Sequence, residues 1–255
     1  MTNRYKLLPL LLSLGLAACG GGGGGDGTPR TAPAVSTPDI TARSAMMWRA
    51  TTSTGRSGRF VLLDGGRFYF LYSAMNRPTV LGGAVTAVAS LSAANTITST
   101  AADFNWEGLP GALTTLSASL DAQSNLNGSL SYDDTSRNLS FTSIYEAPTA
   151  SMVSLGDVAG TYVNGDRSMT LVLSASGALS GTAFSSSCRF TGAAKQTLNY
   201  TSLLHLSLTF QGGDCALGTS TVTGIAAYDA SQRQLVGIAL DSTGTSASLF
   251  QAAKP

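Results

Sequence analysis

Hydrophobic and polar positions alternate from about Ala45 to the last residues of the chain. Leu204, Leu206, Leu208 and Phe210 keep strict period two, the mark of a half-buried strand. Val222, Gly224 and Ala226 continue it. Leu113, Leu116, Ala118 and Leu120 show the same habit, as do Leu126, Leu130 and Tyr132. Residues 60–63, then Asp64-Gly65-Gly66, then residues 67–72 read as a hairpin whose Asp-Gly step supplies the positive-φ turn. A 3.6-residue period holds nowhere for three turns. The pattern predicts an all-β chain of short antiparallel strands.

An internal likeness divides that chain in two. The segment 126–139 aligns without gaps on 222–235, with Gly128/Gly224, Tyr132/Tyr228, Asp133/Asp229, Arg137/Arg233 and Leu139/Leu235 identical. Val61, Leu62 and Gly66 can be laid on Val172, Leu173 and Gly177, and Leu113, Leu116 and Leu120 on Leu203, Leu206 and Phe210. Three blocks in one order point to duplication; the alternative is that hairpins simply look alike. Pro148 interrupts the strand pattern, so the expected division is 45–147, a linker at 148–154, and 155–255. About eight strands on each side suit two successive up-and-down eight-stranded barrels, in which closure removes exposed edges. A pair of sandwiches is the competing architecture. Strands this short, with only two tryptophans, fit a membrane-spanning barrel poorly.

The first 44 residues follow other rules. Arg4 and Lys6 precede an apolar run from residue 7 to 16, too short to span a bilayer. Leu16-Ala17-Ala18-Cys19 closes it. A charged start, an apolar stretch and small residues before a cut describe a secretory signal over 1–18. The last four of these residues resemble the bacterial lipobox, which implies that Cys19 is lipidated and becomes the membrane anchor. Acyl chains contribute about 0.8 kcal/mol per buried methylene. Gly20 follows the cysteine where inner-membrane retention would favour Asp, so outer-membrane delivery is expected. Six glycines, residues 20–25, and Pro29, Pro33 and Pro38 make 19–44 a tether with a reach of roughly 25–30 Å.

Composition narrows the chemistry. Charged residues are 11% of 255, and the formal charge of +1 excludes a polybasic nucleic-acid binder. Cys188 and Cys215 are the cysteines other than Cys19, and an oxidising envelope lets them form a structural disulfide. His205 is the single histidine; it lies opposite the leucine face of its strand and is expected to be solvated. No metal centre or cofactor is expected, since multi-histidine and Cys/His zinc spacings are missing. There is no Gly-x-Ser-x-Gly elbow and no phosphate-cradling loop. Asp133-Asp134 reads as a turn former, and the chain is expected not to be an enzyme.

One constellation could bind something. Arg49, Arg56, Arg59, Arg67 and Arg77 fall within thirty residues, with Phe68-Tyr69-Phe70-Leu71-Tyr72 among them. Pleating sends Phe68, Phe70 and Tyr72 to one face and Arg67, Tyr69 and Leu71 to the other. With the first face filling the core, Arg49, Arg67, Tyr69 and Leu71 form a candidate binding patch of residue types common at hot spots. The bland alternative is a strand buried on both sides.

Lipobox, glycine run and two β-domains together resemble tethered surface lipoproteins of the transferrin-binding protein B and factor H-binding protein kind. That resemblance implies a non-catalytic protein, lipid-anchored in the outer membrane and displayed at the cell surface, that binds a protein or host ligand. It carries over no binding residue. The alternatives are a periplasm-facing assembly component, a carrier of a small apolar ligand, and an unrecognised hydrolase.

Overall fold

The computed structural model describes residues 44–89, 92, 94–121, 124–148, 153–183 and 187–255. The leader, Cys19 and the rest of the tether before Ser44 lie outside the described residues, as do positions 149–152 of the expected linker.

Strands β1 (Ala45–Thr52), β2 (Ser57–Leu63), β3 (Arg67–Ala74), β4 (Arg77–Val88), β5 (Thr96–Asn105), β6 (Ala112–Leu120), β7 (Leu126–Tyr132) and β8 (Leu139–Tyr145) pair antiparallel in chain order. β8 returns to β1, from Trp48↔Tyr145 to Thr52↔Phe141, and closes a barrel. In β6 the alternation is clear: Thr114, Leu116, Ala118 and Leu120 are buried, while Leu113, Thr115, Ser117 and Ser119 face solvent. Phe60 sits at the centre of the interior, stacked on Phe70 at 4.1 Å and tilted against Phe141 at 4.5 Å. Beyond Leu113 the outward side chains of β6 are Thr and Ser, the reverse of a membrane-spanning strand, which turns its apolar side chains outward.

The second barrel repeats the plan. Helix α1 (Leu155–Val158) opens it, and Ser154 and Asp157 cap α1 reciprocally. Then follow β9 (Gly160–Val163), β10 (Thr170–Leu173), β11 (Ala178–Thr182), β12 (Arg189–Gln196), β13 (Leu203–Phe210), β14 (Thr221–Asp229), β15 (Gln234–Leu240) and β16 (Ala247–Ala253). β16 meets β9 to close the ring. Cys188 and Cys215 are bonded and buried, and tie the start of β12 to the β13–β14 connection. Two closed barrels are therefore present, not two sandwiches.

The likeness between the halves is partly topological. Gly66 after β2 and Gly177 after β10 have φ of 80° and 87°, and each carbonyl accepts an N–H at 2.7 Å, from Ala89 and Ala194. A Cβ on either glycine would lie 2.4 or 2.3 Å from that alanine's own carbonyl oxygen, so both positions need glycine. The other two blocks are one strand out of step. Leu113, Leu116 and Leu120 lie on the sixth strand of the first barrel, whereas Leu203, Leu206 and Phe210 lie on the fifth of the second. Segment 126–139 joins strands seven and eight, and 222–235 joins six and seven. Neighbouring strands run in opposite directions, so these two likenesses are those of hairpins, not of equivalent positions.

The barrels share a third core. Met47, Val61, Leu63, Tyr69 and Leu71 on the outer face of the first pack with Leu203, Ile225, Ala227, Ile238 and Leu240 on the outer face of the second. This corrects the candidate patch: Tyr69 is 1% exposed and Leu71 6%, because the second barrel covers the face they share. His205 is corrected too. It is buried, at 6% exposure, on the same face of β13 as Leu203.

Candidate functional site

With Tyr69 and Leu71 enclosed, the patch leaves Arg49 and Arg67 apart. Arg67 is exposed at the start of β3. Arg49 is exposed near the interbarrel cleft, 3.6 Å from a carboxylate oxygen of Glu146, whose other oxygen lies 3.3 Å from Arg59. The backbone carbonyl of Glu146 also accepts the Tyr200 hydroxyl from the second barrel. Of these contacts the Tyr200–Glu146 bond joins the two barrels, whereas Arg49 and Arg59 pair with Glu146 within the first and Arg49 stays exposed. Asp134 is a turn former as expected, accepting the Ser136 N–H at 3.1 Å.

Chemistry collects instead at one mouth of the first barrel, where the β1–β2, β3–β4, β5–β6 and β7–β8 connections meet. A cavity of about 180 Å³ opens there. Phe70, Leu130 and Leu139 supply its apolar lining, and Met75 and Leu109, each half exposed, stand at its rim. Trp106, 40% exposed, lies on the same β5–β6 connection as Leu109.

Asp103 organises the wall. Ile97, Ala101 and Asp103 share the inward face of β5, so the strand's own alternation delivers a carboxylate to the interior. A buried charge is tolerated when it is paired and hydrogen-bonded. Here Tyr72 donates to Oδ1 at 2.7 Å, Tyr132 to Oδ2 at 3.0 Å, and Arg137 Nη2 to Oδ2 at 3.2 Å. Arg137 also lies over the Tyr132 ring at 4.8 Å. Burial, followed by the charge of Asp103, pushes both phenols well above the ordinary tyrosine range. They therefore stay protonated as donors.

The position of Tyr72 depends on β4. The β3–β4 register shifts between Tyr72↔Gly83 and Ser73↔Leu81, leaving Gly82 as a bulge. A Cβ on Gly83 would lie 2.2 Å from the Tyr72 hydroxyl oxygen, so the phenol reaches Asp103 only across a glycine.

A second ion pair guards the rim. Arg56 Nη1 donates to the Ser73 carbonyl at 2.9 Å and to Glu107 Oε2, and its guanidinium lies 5.2 Å from the Tyr72 ring centre. Glu107 Oε1 accepts the Met75 N–H at 3.3 Å. Asn105 Oδ1 accepts the N–H groups of Glu107 and Leu109 at 2.8 and 3.2 Å, which folds the connection back on itself.

Sequence reasoning missed Asp103, Glu107 and the role of Arg56. The signal for Asp103 was available: period two from Ile97 places a lone carboxylate on a core face, where it must find partners. Nothing local marks Glu107, whose role appears only once the rim is assembled.

Two further recesses of about 250 and 500 Å³ run between the barrels and share Val80, Leu81, Gln234 and Gln251. Gln251 spans them, accepting the Leu81 N–H at 2.7 Å and donating to the Thr79 carbonyl at 2.6 Å. A groove of about 490 Å³ lies over the β7–β8 seam. There Ser143 Oγ donates to the Leu126 carbonyl at 2.6 Å, and Asn127 Oδ1 accepts the Ser143 N–H at 2.9 Å. Side chains thus continue the seam beyond the last backbone pair, Gly128↔Phe141.

No protein-family model, no curated protein and no solved structure matches this chain.

Proposed function

We propose that this chain is a non-catalytic lipoprotein, held in the outer membrane by lipid on Cys19, whose paired barrels bind a protein or host ligand at the cell surface. The observation that carries the binding site is the mouth of the first barrel. It joins an apolar lining, fixed charged groups and exposed Met75 and Leu109 in one recess, a combination typical of binding sites. Carriage of an apolar molecule inside a barrel has less support. Phe60, Phe68, Phe70 and Phe141 fill the first interior, and Tyr162, Phe190, Phe210 and Phe250 occupy the second. Binding also fits the mouth better than turnover does. The oxygens of Asp103 already accept three hydrogen bonds, and the tyrosines beside it act as donors.

The anchor and the site are tested separately. Cys19→Ser should abolish lipid labelling and release the protein from the membrane fraction; retention without lipid removes the anchor. Protease shaving of intact cells should degrade the barrels, whereas protection until the outer membrane is breached places them in the periplasm. Partner capture by the full chain should be lost with Met75→Asp combined with Leu109→Asp. Undiminished capture removes the mouth as the site.

A further inference from the structure

We infer that the mouth recognises a carboxylate attached to an apolar group of about one side chain's size, and that Glu107 fills the carboxylate position as a built-in competitor. This rests on the mouth being the binding site.

The position held by the Glu107 head group is a carboxylate receptor in its own right. One oxygen faces the Arg56 guanidinium and the other the Met75 N–H, a charge-assisted donor beside a backbone donor. Arg56 does not need Glu107 to stay in place. The Ser73 carbonyl and the Tyr72 ring hold it, and its side chain is 12% exposed. Glu107 is more open, at 29%, on a connection whose Trp106 and Leu109 also face solvent. Moving Glu107 and the residues after it would vacate the receptor at the cost of the bonds to Asn105 Oδ1, while the Trp106 N–H can keep its 2.8 Å bond to the Gly82 carbonyl of β4.

Charge and volume then select the ligand. Removing Glu107 alone would strand a largely buried guanidinium, which is costly. An incoming carboxylate restores the pair, whereas a neutral group does not. Asp103 in the wall is already paired with Arg137, so a cation entering the vacated receptor would meet the charge of Arg56. Beyond the receptor the cavity is apolar at Phe70, Leu130 and Leu139, and its 180 Å³ is smaller than a typical drug-sized pocket. It suits one ring or one branched chain. A free acid and the C-terminal residue of a polypeptide both carry this chemistry.

The test uses the full-length protein in detergent. Binding is followed by calorimetry and by fluorescence, in which Trp106 reports movement of the connection while Trp48 is fully buried. The probes are 3-phenylpropionate, acetyl-Gly-Gly-Phe as the free acid, and the amide of each. An acid should bind at least tenfold tighter than its amide and change Trp106 emission. Glu107→Gln should tighten acid binding at least threefold, and Arg56→Gln should erase the preference for acid over amide. Binding of the free acid alone identifies a small-molecule source, and binding of the peptide acid alone identifies a chain terminus. Equal binding of acid and amide overturns the carboxylate inference and leaves the mouth as a binding site. Failure of both acids to bind even Glu107→Gln also overturns it, and this variant decides the matter if Arg56→Gln does not fold. Loss of the mouth as the functional site would show separately, as partner capture that survives Met75→Asp with Leu109→Asp.

Discussion

Asn199 meets Ala45 as a neighbouring strand would. Its Nδ2 donates to the Ala45 carbonyl at 2.7 Å and its Oδ1 accepts the Ala45 N–H at 2.9 Å. Ala45 opens β1 of the first barrel, and Asn199 lies in the β12–β13 connection of the second. Gln251 makes the same two-bond contact with Thr79 and Leu81 elsewhere in the interface. Side-chain amides can do this because each carries a donor and an acceptor side by side. Together with the shared apolar core, they make the two barrels one body.

Asn199→Asp keeps the acceptor and turns the donor into an oxygen facing the Ala45 carbonyl. Leaving a buried polar group unsatisfied costs about 1–3 kcal/mol. Urea denaturation should show a lowered midpoint of that size. An unchanged midpoint would mean that the amide adds nothing to the apolar contact around it.

Tyr69→Ala should destabilise the protein about as much as Phe70→Ala. One side chain fills the core between the barrels and the other the core within the first, and both are 1% exposed. Removing a buried aromatic typically costs 3–5 kcal/mol, roughly the range for each variant. Arg67→Glu, at an exposed position, should stay within about 0.5 kcal/mol of the parent. If Tyr69→Ala were as mild as Arg67→Glu in chemical denaturation, the outer face of β3 would not be buried in solution.

What the sequence revealed follows from these faces. Period two identified Phe68, Phe70 and Tyr72 as an inward set and the leucines of β13 as another, because the barrel interior imposes one demand on alternate positions. The hairpin at Asp64 was legible from its turn glycines, and the disulfide from the lack of other partners for its thiols. Tyr69 and Leu71 were visible as a second apolar face, but local pattern cannot say whether a partner or the same chain covers it. The same blindness applied to His205, whose strand reads as one-sided until the other barrel is in place. The mouth depends on side chains from eight separate strands or turns, a relation that no local spacing encodes.

Reducing the Cys188–Cys215 bond should lower stability by roughly 3–4 kcal/mol, given a separation of 27 residues. Both sulfurs belong to the same buried core as Phe190 and Phe210. Because the barrels share an interface, weakening the second should also expose the first to proteolysis at lower denaturant. Comparing urea midpoints and cleavage sites with and without reductant checks both points. Cleavage confined to the second barrel would show that the two unfold independently.

Alkaline pH should destabilise the protein. Burial is the leading cause that raises Tyr72, Tyr132, Tyr162 and Tyr200 above the ordinary value of 10.0. A folded-state value above the unfolded one means that this contribution is complete below about pH 10 and declines as the pH rises toward the folded values. Absorbance near 295 nm should therefore show these four phenols ionising only as the fold is lost. Tyr72→Phe should make the decline with pH shallower. Reversible ionisation of all tyrosines in folded protein at pH 11 would contradict the buried donors at the mouth.

Gly83→Ala tests the mouth through a residue that carries no functional group. Its added Cβ would fall 2.2 Å from the Tyr72 hydroxyl oxygen and 2.6 Å from the Phe104 carbonyl oxygen. The backbone oxygen cannot move far, so the phenol must swing away and give up its 2.7 Å bond to Asp103. A hydrogen bond to a buried charge contributes about 1.5–3 kcal/mol, and Asp103 is only 4% exposed. Tyr72→Phe removes the same bond without the clash, so Gly83→Ala should be at least as destabilising. Both changes also alter the ring on which Arg56 rests, so both should weaken binding of 3-phenylpropionate. A Gly83→Ala protein with unchanged stability and an unchanged phenol titration would show that Tyr72 does not lie across Gly83, and the network around Asp103 would lose its first member.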